Sequence, residues 1–119
     1  MQIFYLMKQI NCKEDLINYF DKGCKKENQL NIGVEHEKFV FEKNSNQRIN
    51  FETVSKIFNF LIKFGWKPIK ENNNIVALSR DGQKITLEPG NQIELSGAKL
   101  KSIHLVCNES YKFLHELKE

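Results

Sequence analysis

From Asn50 to Gly65, apolar residues recur every three or four positions, at Phe51, Val54, Ile57, Phe58, Leu61 and Ile62. That spacing lines one side of a helix, with Asn50 as the capping residue and Gly65 as the stop. Upstream, Asn11 with Glu14 three residues later forms a capping-box pattern ahead of Leu16, Ile17, Tyr19 and Phe20, and Gly23 can end the turn, which predicts a short first helix. A third helix is predicted from Lys99 to Leu117, with Leu100, Ile103, His104, Cys107, Tyr111 and Leu114 along its apolar stripe. On that reading His104 is a core histidine and Cys107 is no nucleophile.

Elsewhere the period shortens to two. The segment LNIGVEHEKFVFE, residues 30–42, is rich in branched and aromatic residues and reads as a strand. WKPIKE, NIVALSR and QKITLEPG follow as three more, the last two joined by Asp81-Gly82, a hairpin signal. With those two as the loop, Arg80 faces Gln83, Leu78 faces Ile85 and Val76 faces Leu87, which places the aliphatics on one side of the sheet. The next corner, at Pro89-Gly90, admits two registers. A two-residue loop pairs Glu88 with Asn91 and mixes charged with apolar positions. A three-residue loop of Pro89, Gly90 and Asn91 pairs Glu88 with Gln92 and Thr86 with Glu94, and keeps Ile85, Leu87, Ile93 and Leu95 together, so it is preferred. The fold class expected is α+β, an antiparallel sheet flanked by helices. No repeat, low-complexity tract or linker interrupts residues 1–119, which read as one unit.

Composition narrows the function. A chain of 119 residues with 40% hydrophobic content supports one core. The net charge of +3 is spread among carboxylates, without the basic and aromatic stripe of a nucleic-acid binder. The opening MQIFYLMKQI lacks a basic start and a cleavage site, and no stretch reaches membrane-spanning length. A soluble, cytoplasmic protein is expected, with no nucleic-acid or membrane partner. Cys12, Cys24 and Cys107 form neither a CxxC motif nor a zinc spacing with the three histidines, so neither a disulfide nor zinc is implied.

Two acidic clusters carry the candidate chemistry. Glu35 and Glu37, two apart on a strand, project to one side, followed there by Phe39 and Phe41. In the preferred register Glu88, Gln92, Glu94 and Ser96 share the polar side of the following hairpin. Such oxygen donors suit a hard cation such as magnesium, which also takes phosphate oxygens. The spacing is equally that of ordinary solvated strand faces, and alone it does not decide between the two.

The motifs themselves decide. Ile32-Gly33-Val34-Glu35-His36-Glu37-Lys38-Phe39 resembles the IG-EHEKF signature of plant and proteobacterial glutamate-cysteine ligases. Leu87-Glu88-Pro89-Gly90 with Gln92 and Glu94-Leu95-Ser96-Gly97-Ala98 is similar to that family's LEPGGQFELSGAP segment, and Trp66-Lys67-Pro68-Ile69, His104 and Cys107 fall where the family has comparable residues. The departures are Asn91 for Gly, Ile93 for Phe and Lys99 for Pro, none of them acidic.

The resemblance implies the N-terminal part of a catalytic domain like that of glutamine synthetase. It implies ATP and Mg2+ as cofactors, and L-glutamate and L-cysteine as substrates joined through γ-glutamyl phosphate in the first step of glutathione biosynthesis. Glu35, Glu37, Glu88 and Glu94 are the expected ligands of the metal-nucleotide, with Gln92 a weaker substrate-binding candidate. His36 and Lys38 alternate to the opposite side and are expected to be structural. The family's enzymes run to several hundred residues, so an isolated fragment would be inactive. A noncatalytic truncated chain or subunit, or a carboxylate-amine ligase using another amine, are the alternatives.

Overall fold

The computed structural model describes residues 9–119. They divide into two compact units, one ending at Leu30 and the other running from Asn31 to Glu119. No composition shift, proline or glycine run marks the junction in the sequence.

In the first unit, α1 spans Lys13–Gly23 and is followed by a single 3-10 turn at Glu27–Gln29. The Asn11/Glu14 box does not form. Cys12 is the capping position and makes no side-chain cap. The acid that reaches back is Asp15, whose Oδ2 accepts the Asn11 backbone N–H at 3.2 Å. Starting the helix one residue later moves the third helical position from Glu14 to Asp15.

The second unit is a five-stranded antiparallel sheet with two helices. Its strands are β1 (Glu35–Lys38), β2 (Lys67–Glu71), β3 (Asn74–Arg80), β4 (Gln83–Glu88) and β5 (Gln92–Ser96), in the order β1-β5-β4-β3-β2. The last four form a meander, and β1 adds on the β5 edge. The long first strand expected over residues 30–42 is thus only four residues. The flanking residues contribute isolated bridges, Ile32 to Leu100 and Phe41 to Arg48, because the chain turns back after Phe41 to reach Arg48 instead of continuing beside β5.

Both hairpins take the expected registers. Arg80 pairs with Gln83 and Leu78 with Ile85. Glu88 pairs with Gln92, Leu87 with Ile93, Thr86 with Glu94 and Ile85 with Leu95. The second corner needs left-handed backbone at Gly90 (φ 76) and Asn91 (φ 59). Asn is among the few side-chain-bearing residues that accept this conformation, and its Nδ2 also donates to Ile49 O at 3.0 Å. Asn for Gly is therefore a working substitution at this corner.

Helix α2 (Phe51–Leu61) is capped by Asn50, whose Oδ1 accepts from Thr53 N at 2.9 Å. It closes through one 3-10 turn onto left-handed Gly65. Val54, Phe58 and Leu61 of α2 pack with Trp66, Leu78, Ile85, Ile93, Leu95 and Phe113 into a single core.

Phe113 belongs to α3 (Ile103–Lys118), and here the expected stripe is wrong. Its buried positions are Val106, Glu109, Phe113 and Glu116, whereas Ile103 is 56% and Tyr111 72% exposed, and His104 and Cys107 face solvent. Hydrophobicity misplaced the face because two of the four inward residues are glutamates with partners waiting in the interior.

Those partners are specific. Glu116 Oε1 accepts from Arg80 Nη1 and Oε2 from Trp66 Nε1, each at 2.8 Å, and the Arg80 guanidinium lies 4.1 Å from the Trp66 ring centroid. Arg80 Nη1 also donates to Phe64 O at 2.8 Å. Glu109 Oε1 accepts the Ala98 N–H at 2.9 Å, tying α3 to the segment after β5.

Candidate functional site

The core helices and aliphatics occupy one side of the sheet, so alternation sends the acidic positions to the other. Glu37 of β1 is the direct cross-strand partner of Glu94 on β5, which in turn opposes Thr86 of β4. One row along, Glu35 opposes Ser96 and Ser96 opposes Lys84. One row the other way, Gln92 opposes Glu88. Rows on one face are about 7 Å apart. All four glutamates therefore share a face and span three neighbouring rows, with Glu35 and Glu37 exposed and Glu88 and Glu94 half-buried.

The structure brings Glu37 and Glu94 together but does not gather the four carboxylates at one point. Among the described residues no group of three or more His, Cys, Asp or Glu stands where it could hold a metal ion by itself. Ser96 Oγ donates to Glu94 Oε1 at 2.8 Å, fixing that carboxylate from the neighbouring row. Gln92 Nε2 is turned to its own corner, donating to Pro89 O at 3.2 Å. Thr86 Oγ1, in the row of the acidic pair, is buried without a hydrogen-bond partner.

His36 lies on the opposite side, as strand alternation requires, with its Nε2 3.0 Å from Ser110 Oγ on α3. Gly97, just past β5, donates its N–H to Val34 O at 2.7 Å and so holds β1 against β5 where the acidic rows meet. A side chain there would collide with Glu109 Oε2 and stand 3.0 Å from Val34 Cγ1.

One basic residue at this face escaped the sequence reading. Arg48 stacks 4.5 Å from the Phe39 ring centroid, and a Cβ built on Gly90 would sit 3.0 Å from its Nη1. The guanidinium thus stands beside the corner that joins Glu88 to Gln92, in space that Gly90 leaves open. The signal was faint, a lone arginine in a polar loop.

Comparison with known proteins fits these motifs. Residues 31–119, the whole second unit, match the sequence profile of glutamate-cysteine ligase family 2 (GCS2). The chain belongs to this family. It is 42% identical over 107 residues to a chloroplastic glutamate-cysteine ligase of Medicago truncatula, a match covering 89% of this chain and 21% of the relative. Against chloroplastic glutamate-cysteine ligase A of Oryza sativa subsp. japonica the identity is 43%, covering 89% and 22%. The chloroplastic enzyme of Arabidopsis thaliana is 39% identical, covering 89% and 20%. The chain spans about a fifth of the length of these glutamate-cysteine ligases.

Their names also correct the compartment. The cytoplasmic reading rested on charge and hydropathy in the opening residues, and the plant relatives of this family member are chloroplastic. Ten residues of composition have no power to place a segment of a longer family. What the structure states is narrower: among the described residues no helix is long and apolar enough to cross a membrane.

Proposed function

We propose that this chain supplies part of the catalytic sheet of an ATP-dependent ligase joining the γ-carboxylate of L-glutamate to the amine of L-cysteine, the first step of glutathione biosynthesis. The observation that carries the proposal is the direct pairing of Glu37 with Glu94, without an ion pair to either among the described residues. Like charges directly opposed across strands destabilise a sheet by up to about 1 kcal/mol. A cation between them reverses the sign of that interaction.

The donor set fits magnesium as the metal of a nucleotide complex. Magnesium is usually held by one or two carboxylates together with phosphate oxygens and waters, so a facing pair suffices without a third acidic ligand. A divalent cation there would supply positive charge that offsets the approach of a carboxylate to a triphosphate. Glu37 and Glu94 would hold it, with Glu35 and Glu88 in the adjoining rows, and Ser96 orients the Glu94 carboxylate. Arg48, beside Gly90, is positioned to receive an anionic group at the Glu88 end. Gln92 would reach substrate only by releasing Pro89 O.

In the reaction, an oxygen of the glutamate γ-carboxylate attacks the terminal phosphorus of ATP and ADP leaves. The cysteine amine then attacks the acyl phosphate, and phosphate departs as the amine loses its proton.

The test is ADP release from the full-length protein with glutamate and cysteine both required. Glu94→Gln, which keeps size and hydrogen bonding but removes the charge, is expected to lower turnover by roughly a hundredfold or more, as losing a metal ligand does, with the thermal midpoint nearly unchanged. Turnover within about twofold of wild type would contradict the assignment.

A further inference from the structure

Towards the β2 edge of the same face, three polar residues form another cross-strand row. Lys67 pairs with Ser79 and Ser79 with Lys84. Directly opposed residues point to the same side of the pleat, and two inter-strand steps separate the lysine backbones by about 10 Å. Two ammonium groups on flexible stems therefore flank one hydroxyl. Among the described residues neither lysine has an ion pair or a hydrogen bond to its side chain. Two like charges so placed repel each other and gain from an anion between them.

There is room for one. Lys67, Ser79 and Lys84 line a pocket of about 290 Å³ together with Gly65 and the Asp81-Gly82 turn. That is just under the ~300–1,000 Å³ of sites that enclose drug-sized ligands, so the pocket suits a small polyanion and not a whole nucleotide. The other nearby cation, Arg80, is committed to Glu116 and Phe64 O. The Asp81 carboxylate is the one opposing charge in the lining.

We propose that Lys67, Ser79 and Lys84 form a binding site for a phosphate-class oxyanion, independent of any metal at the carboxylates. Lysine ammoniums act as point charges for phosphate, and a serine hydroxyl adds a directed donor between them. The same chemistry serves a free phosphate or pyrophosphate and the phosphate end of a larger molecule. The site goes beyond the ligase reading and stands without it.

The experiment is calorimetric titration of the full chain at low salt with inorganic pyrophosphate and, separately, AMP, in the presence of a chelator so that no metal-bridged phosphate can bind at the glutamates. Wild type is expected to bind pyrophosphate saturably, one per chain. Lys67→Ala and Lys84→Ala are each expected to weaken binding roughly tenfold, the scale of one charge-assisted contact. Asp81→Asn keeps the turn, since Asn-Gly favours the same backbone, and is expected to tighten it. Lys63→Ala removes an exposed lysine already stacked 3.5 Å from the Phe60 ring centroid and is expected to change nothing. AMP competing for the same lysines assigns the site to a phosphate group on a larger ligand, and silent AMP assigns it to the free anion. Absence of wild-type binding, binding that survives the double lysine variant, or an equal loss in Lys63→Ala would overturn the proposal.

Discussion

Gly97 is the residue where sequence, packing and site meet most tightly. It lies inside the Glu94-Leu95-Ser96-Gly97-Ala98 motif, its N–H holds β1 to β5 at Val34 O, and Glu109 Oε2 occupies the space a side chain would need. Gly97→Ala is therefore expected to destabilise the fold by about 1–3 kcal/mol, the range for overpacking a filled interior, read as a lower midpoint in urea unfolding. An unchanged midpoint would mean that Glu109 yields without cost. The glycine was legible as a motif position, but its reason was not, because the obstructing carboxylate comes from α3. Asn91 is the opposite case. Its departure from the family's glycine could be rationalised from the backbone alone, and φ 59 bears that out.

Among the elements, the hairpins were the most readable. Asp81-Gly82 fixes one register through local turn chemistry, and the second follows from keeping Ile85 and Leu87 beside Ile93 and Leu95. Helix α2 was nearly as plain, since its cap and stop are local and Val54, Phe58 and Leu61 of its stripe are buried, although Phe51 and Ile62 at the ends of the stripe are exposed. Helix α3 was not. Its inward face is set by Glu109 and Glu116, and no periodicity of hydrophobic residues reveals a buried carboxylate whose partners lie far off in sequence. Glu116 serves both Arg80 and Trp66, with the two ion-pair side chains 7% and 5% exposed. Glu116→Ala would leave a buried guanidinium uncompensated and is expected to cost about 3–5 kcal/mol, whereas replacing Arg80 and Glu116 together by apolar residues should recover most of that loss. Thermal unfolding of the single and double variants decides it. Equal destabilisation by both would show that packing around Trp66, not the uncompensated charge, dominates.

At the scale of the second unit, one side of the sheet is a core sealed by α2 and α3, and the other carries acids towards β1 and lysines towards β2. The acidic half was foreseeable because strand alternation and two motifs point to it. The basic half was not, because Lys67, Ser79 and Lys84 meet only once three strands are in register. The facing pair Glu37 and Glu94 is the proposed site of a divalent metal. The most direct measurement is Mn2+ binding to the full-length protein in the presence of ADP, followed by electron paramagnetic resonance, with Mn2+ standing in for Mg2+ at an oxygen site. A bound-metal signal is expected in wild type that weakens at least about tenfold in both Glu37→Gln and Glu94→Gln and is retained in Glu71→Gln, an exposed glutamate on the β2 edge. Wild-type affinity in both facing-pair variants would contradict it.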